Sequence, residues 1–320
     1  MGRRLNISID DSIFHLQANG GISRLWNNLA PALQAALPEH TFDPELPPDL
    51  FISTYYRRAP VGVKSLVIVY DFISERYDAI GADHPDAVAK RSAIADADAV
   101  VAISQWVAGD VGRFCGKPAV VAYPGISDTF QRALPDEVNA FQQKYNILTP
   151  YILMVGRRGL YKNGRGIYSA FQHWSGRQTH SLVFVGGEPL TRAEMDHEDY
   201  RPGQLRYLQG LSDSDLTAAY SGATCFVYPS LYEGFGLPVL EAMRCGCPVV
   251  CGTGGALTEV GGEAPFYCEP LLPLSVARAM EATLNPSERL KHILAGYEQA
   301  KRFTWRGMAA GVAEVIRSIA

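Results

Sequence analysis

Short apolar runs rich in β-branched residues recur along the chain, with stretches long enough for a helix between them. In the first half they fall at 5–9, 66–70, 99–103 and 119–123, and in the second half at 151–155, 181–185, 205–208, 224–228 and 248–251. Runs this continuously apolar predict strands covered on both faces, hence parallel sheets flanked by helices. Segments 22–37, 135–145 and 305–319 are amphipathic at helical spacing, and 164–174 and 212–221 separate strands of the second series. The fold class expected is α/β, with two doubly wound parallel-sheet domains.

The length of 320 residues fits two domains at about 150 residues each. The boundary is expected at Leu148-Thr149-Pro150, where the segment 135–145 ends and the strand YILMVG opens the second series. The expected division is therefore 1–148, 149–303 and a final helix at 304–320. In open α/β sheets ligands bind beyond the carboxyl ends of the strands, so the crevice between two such domains is where chemistry is expected.

Composition narrows the classes. Hydrophobic residues at 47% and charged residues at 19% exclude disorder, and no continuous apolar stretch is long enough to span a bilayer. A formal charge of -4 provides no field for nucleic acid, and the first 148 residues, with 13 Lys plus Arg against 17 Asp plus Glu, present no basic membrane face. The start MGRRLNISID lacks the apolar core of a signal peptide, so a cytoplasmic protein is expected. The six cysteines are too few for a disulfide framework and read as reduced, mostly buried thiols.

The stretch 229–250, PSLYEGFGLPVLEAMRCGCPVV, passes from a strand end through a glycine loop into a short helix and back to a strand. Gly234 and Gly236 let the backbone approach a ligand, Pro238 suits a first helical turn and Gly246 suits the stop. The amides of such a helix start favour a phosphate, while Glu233 and Glu241 are placed to accept hydrogen bonds from sugar hydroxyls. On spacing alone, a solvated loop charge and a helix-surface residue explain the two glutamates equally well.

EGFGLPVLE, Glu233 to Glu241, resembles the Glu-x7-Glu signature of retaining glycosyltransferases of family 4. In chain order GGISR, ADAVVAISQW, YPGISDTF, VGRRGLYKN and FTW extend the resemblance over nearly the whole chain. It implies a GT-B architecture, two Rossmann-like domains with the donor held mainly by the C-terminal one and the last helix crossing back to the N-terminal one. It implies that Glu233 contacts the donor sugar, that Glu241 holds the ribose, and that the backbone at Phe235, Gly236 and Leu237 faces sugar and diphosphate. Lys162 falls on the family's diphosphate-binding lysine, Gly156 opens the same loop, and either Arg157 or Arg158 falls near its arginine, with a solvated surface charge as the other reading of both. Gly20 and Gly21 resemble the N-terminal glycine loop, with a plain tight turn as the other reading. Where the family often has a His-Asp pair, this chain has Tyr70-Asp71, which leaves Asp71 a candidate and Tyr70 open between hydrogen bonding to a sugar and packing.

The function implied is retaining transfer of a hexose from a nucleotide-diphosphate sugar, GDP-mannose by analogy, to a glycan or lipid-linked acceptor in surface-polysaccharide assembly. An arginine and a lysine neutralise the departing diphosphate, so no metal or other cofactor is expected. Peripheral contact with the membrane's inner face is an expectation of the same analogy. The pairs Asp96/Asp98 and Asp213/Asp215 imitate a metal-binding DxD motif but sit where helix termini explain them. Gly252-Thr253-Gly254-Gly255 lacks the third glycine of a dinucleotide fingerprint, and Ser104 reads as a helix N-cap. The competing functions are a nucleotide-sugar epimerase of similar fold and a non-catalytic scaffold of a polysaccharide-assembly complex. The proline-rich stretch 38–60, with Tyr55, Tyr56, Arg57 and Arg58, reads as an acceptor-side loop or a solvated connector.

Overall fold

The computed structural model describes residues 4–18, 20–77, 81–195 and 199–320. The chain divides into two compact units, Met1–Ser127 with Phe303–Ala320, and Asp128–Arg302.

Among the described residues, the first unit carries a five-stranded parallel sheet in chain order, β1 (Ile7–Ile9), β2 (Leu50–Ser53), β3 (Lys64–Val69), β4 (Ala99–Ala102) and β5 (Val120–Val121). β2 corrects the sequence reading, which took 38–60 for a loop or connector. Its four residues are too short and too closely followed and preceded by prolines to stand out, yet all four are buried. The strand exists because β1 and β3 pair with it on either side, with Ile7 opposite Leu50 and Leu66 opposite Ile52. The helix Trp305–Ile319 buries Met308, Ala309, Val312, Ala313, Val315 and Ile316, one stripe of a helical surface, and packs on the helix Gly21–Ala36 of the same unit. Thr304 caps it by accepting from the Gly307 amide at 3.0 Å, and Phe303 meets Tyr123 edge to face at 5.6 Å.

The second unit is a six-stranded parallel sheet among the described residues: β6 (Tyr151–Val155), β7 (Ser181–Val185), β8 (Leu205–Leu208), β9 (Cys225–Tyr228), β10 (Val249–Cys251) and β11 (Phe266–Tyr267). The spatial order is β11-β10-β9-β6-β7-β8, so the winding reverses between β6 and β9. That is the doubly wound order, and its reversal opens a crevice at the carboxyl ends of β6 and β9. Ile152, Met154, Phe171, Trp174, Phe184, Val276 and Met280 fill the core between this sheet and its helices.

The unit boundary falls at Ser127, ahead of the boundary at 148 expected from the sequence. The helix Pro135–Lys144 accounts for the difference. It packs on the helix Asp213–Gly222, and Lys144 and Tyr145 both donate to Asp215, at 2.8 and 3.0 Å. All six cysteines are free thiols, Cys115 half-buried and the other five buried. Among the described residues no helix is long and apolar enough to cross a membrane.

Candidate active site

The loops leaving β6 and β9 carry Gly156, Arg157, Arg158, Lys162, Glu233, Phe235 and Gly236, and they are tied together where the Leu231 amide donates to the Tyr161 carbonyl at 2.6 Å. A short 3-10 turn, Leu160–Lys162, aims the lysine across the reversal. There Lys162 Nζ donates to Glu233 Oε1 at 2.8 Å and to the Tyr228 hydroxyl at 2.6 Å. The lysine side chain is 16% exposed and the glutamate 9%, so the charges meet largely out of water, where their attraction is strong and each depends on the other. Glu233 is thus not a solvated loop charge.

The backbone of Glu233 is braced from below. A side chain at Gly255, whose φ is +66, would place its Cβ 2.2 Å from the Glu233 carbonyl oxygen, and one at Gly254 would lie 1.9 Å from the Leu231 carbonyl oxygen. Only glycine permits that approach, and the Ala256 amide closes it by donating to the Glu233 carbonyl at 2.9 Å. The glycine run at 252–255, recognised in the sequence only as a failed dinucleotide fingerprint, is this brace.

Gly236, with φ +106, is the N-cap of the helix Leu237–Arg244, and Pro238 lies in its first turn. Pro238 has no amide hydrogen and the Val239 amide donates back to the Gly236 carbonyl at 3.0 Å, so the Leu237 amide and the helix dipole make up the anion-facing end. Phe235 is buried in the same turn. Glu241 is only 4% exposed, which removes the helix-surface reading, and its Oε2 accepts from the Tyr220 hydroxyl at 3.0 Å. Burial, then the Glu241 carboxylate, push the Tyr220 phenol well above its usual pKa; burial, then the Glu233 carboxylate, do the same for Tyr228. Both phenols are therefore neutral hydrogen-bonding groups. Neither was singled out in the sequence, where Tyr228 is one more apolar position at a strand end.

The two arginines of the Lys162 loop separate cleanly. Arg158 is buried, its guanidinium donating to the carbonyls of Glu188 and, at 3.0 Å, Pro189, beside Glu194 and 5.3 Å from the Phe184 ring centroid. Arg157 extends outward with its side chain 78% exposed, 3.7 Å from Glu188 Oε1. Gly156, at φ +105, turns the chain out of β6 with open space beside its α-carbon.

Gly20, Gly21 and Asp71 belong to the first unit. Gly20 is the extended N-cap of the helix Gly21–Ala36. Asp71 accepts from the Ile73 amide at 3.0 Å and starts the short helix Ile73–Arg76, while its carbonyl accepts from buried Lys90 at 2.9 Å. Tyr70 is wholly interior: its hydroxyl accepts from Trp26 Nε1 at 2.6 Å and donates to the Thr54 carbonyl at 2.7 Å, so it packs and braces. Ser104 caps the helix Gln105–Cys115 by accepting from Val107 at 3.1 Å. Asp98 accepts from the Ser65 amide, Asp96 lies near Arg58, and Asp215 accepts from Lys144 and Tyr145. Among the described residues no group of three His, Cys, Asp or Glu side chains is placed to hold a metal ion.

Comparison with known proteins identifies the family and the fold. Residues 137–297 match the family model described as glycosyl transferases group 1. The O-antigen chain mannosyltransferase B of Escherichia coli is 33% identical over 216 residues, 64% of this chain and 57% of that protein. The serotype-specific mannosyltransferase WbdA of Escherichia coli is 29% identical over 67% of this chain and 28% of its own length. The chain thus spans little more than half of the first relative and about a quarter of the second. The Anabaena protein HepE, solved in complex with UDP-glucose, superposes with a TM-score of 0.74 at 17% identity, over 98% of this chain and all of that one. The shared fold is GT-B, with two parallel-sheet α/β domains.

Proposed function

The chain belongs to the glycosyl transferases of group 1, and on that premise we propose that it transfers a mannosyl group from a nucleotide-diphosphate sugar, GDP-mannose, to a glycan or lipid-linked acceptor in surface-polysaccharide assembly. The observation that carries the reading is the Lys162–Glu233 pair, 2.8 Å apart at the reversal of a doubly wound sheet and close in sequence to a helix start. A nucleotide sugar needs those groups in that order. The diphosphate takes the Leu237 amide at the positive end of the helix dipole and the charges of Lys162 and Arg157; the sugar hydroxyls take Glu233; the ribose hydroxyls take Glu241. Arg158 is the structural arginine in this reading, because its guanidinium is committed to backbone carbonyls.

In the transfer step the bond between the anomeric carbon and the diphosphate oxygen breaks, and charge accumulates on that oxygen. Lys162 and Arg157 neutralise it, with no metal, in a site where preorganised charge is worth more than in water. The acceptor hydroxyl attacks from the face the diphosphate leaves, its proton passing to the departing phosphate oxygen. Glu233 is paired to Lys162 and accepts from sugar hydroxyls, so it does not form a glycosyl-enzyme bond. The relatives named as mannosyltransferases support the choice of sugar. Gly20, Gly21 and Asp71 are assigned to positioning of the substrates by the first unit, at the cytoplasmic face of the membrane.

The test is a transfer assay with GDP-mannose, UDP-glucose and a dTDP-hexose in EDTA, with the product linkage read by NMR. An α-linked product from GDP-α-mannose is expected. A β-linked product excludes retention, and a strict requirement for added metal excludes the side-chain charge mechanism.

A further inference from the structure

Tyr228 sits at the end of β9, with its ring in the core and its hydroxyl in the site. The residue is 1% exposed and its ring stacks on Phe226, centroids 5.4 Å apart and planes at 26°. The hydroxyl accepts from Lys162 Nζ at 2.6 Å, a shorter contact than the 2.8 Å from the same nitrogen to Glu233. Lys162 also lies 4.9 Å from the Tyr228 ring centroid, so its ammonium is held at the edge of one phenol that faces both charged partners.

A lysine ends a flexible four-carbon stem, and its ammonium is a mobile point charge unless something fixes it. An ion pair alone fixes it poorly, because the ammonium can rotate around one carboxylate oxygen at little cost. A second acceptor on a rigid aromatic ring, itself locked in a strand, defines one position. We propose that Tyr228 is a positioning residue, holding the Lys162 ammonium beside Glu233 at the point where the departing diphosphate meets it. The inference rests on the function proposed above and assigns to this chain the residue that keeps the lysine preorganised. The phenol does not act as an acid or base: burial and the neighbouring Glu233 carboxylate keep it protonated throughout the working range.

Tyr228→Phe keeps the ring, its stacking and its burial and removes only the hydroxyl. In the full chain two readouts decide the matter. The first is the rate at which Lys162 is reductively methylated, followed by mass spectrometry relative to exposed Lys301. It is expected to rise at least fivefold in Tyr228→Phe, and an unchanged rate overturns the proposal whether or not the protein transfers sugar. The second is turnover with GDP-mannose, where kcat is expected to fall 10- to 100-fold while the donor KM changes less than threefold. The double variant Tyr228→Phe/Lys162→Ala is expected to be no slower than Lys162→Ala alone. Wild-type kcat in Tyr228→Phe, or additive losses in the double variant, overturn the proposal. If the wild type binds and uses no nucleotide sugar, the proposed function fails, and the methylation rate still decides whether Tyr228 holds the lysine.

Discussion

The Lys162 ammonium and the Glu233 carboxylate lie 2.8 Å apart although 71 residues separate them in sequence. They meet because β6 and β9 are neighbours in the sheet and the chain leaves both at the same end. Removing one partner strands the other charge in a largely buried place and takes away charge stabilisation of the leaving group. Lys162→Ala is expected to lower kcat by about 10²–10³, in line with the loss of one preorganised donor at a developing anion. Steady-state kinetics at saturating donor checks this, and a change below threefold contradicts the role.

The two adjacent arginines are expected to fail in different ways. Arg158→Ala removes a buried guanidinium from two carbonyls, a loss of about 2–3 kcal/mol for hydrogen bonds to a charged group. That corresponds to a drop in Tm of about 5–10 °C in a unit of this size. Arg157→Ala is expected to leave Tm within about 1 °C, as an exposed ion pair contributes little, and to raise the donor KM. Thermal melts with kinetics on both variants separate the roles, and the opposite pattern reverses the assignment.

Much of this site was legible in the sequence, and what was not has physical reasons. Among the described residues, continuous apolar runs revealed every strand but β2 and the two-residue β11, because two covered faces leave no polar alternation. Glu233 and Glu241 stood out beside a glycine loop and a helix start but were undecided on spacing alone, and it was the family resemblance that singled out Lys162 and favoured the two glutamates. β2 was not legible, since it is held by pairing with strands distant in sequence rather than by any local pattern. The choice between Arg157 and Arg158 was not legible either, because neighbouring side chains on a loop can point anywhere until the loop at 186–190 packs against one of them. The glycine brace under Glu233 is a close approach between segments some twenty residues apart, and such contacts leave only a glycine pair as a trace.

Tyr70 stands where the resemblance leads one to expect histidine, and it braces the first unit instead. Tyr70→Phe leaves buried Trp26 Nε1 and the Thr54 carbonyl without this partner, at about 1–3 kcal/mol. Urea unfolding is expected to show that loss while the donor KM stays within twofold of the wild type. A large KM change with unaltered stability contradicts the bracing role.

Burial pushes the thiols of Cys225, Cys245 and Cys268 up to about 12, from an ordinary value of 9.0. The unfolded chain releases these protons near pH 9 and the folded chain holds them to about 12, so the folded state binds more protons between those values. Stability is therefore full below pH 9 and falls as pH rises through that window. Urea midpoints at pH 8 and pH 10.5 are expected to decline, and less steeply in Cys225→Ala after correction for its own stability. At pH 8 a thiol reagent is expected to reach half-buried Cys115 and to spare the five buried cysteines until denaturant is added.

The donor is proposed to bind on the second unit, between Lys162 and Glu241, and the decisive measurement is isothermal titration of GDP-mannose into the wild type, Lys162→Ala and Glu241→Ala. Binding by the wild type is expected, weakened at least tenfold in each variant at a temperature where thermal melts show all three proteins folded. Equal affinity in all three folded proteins contradicts the site.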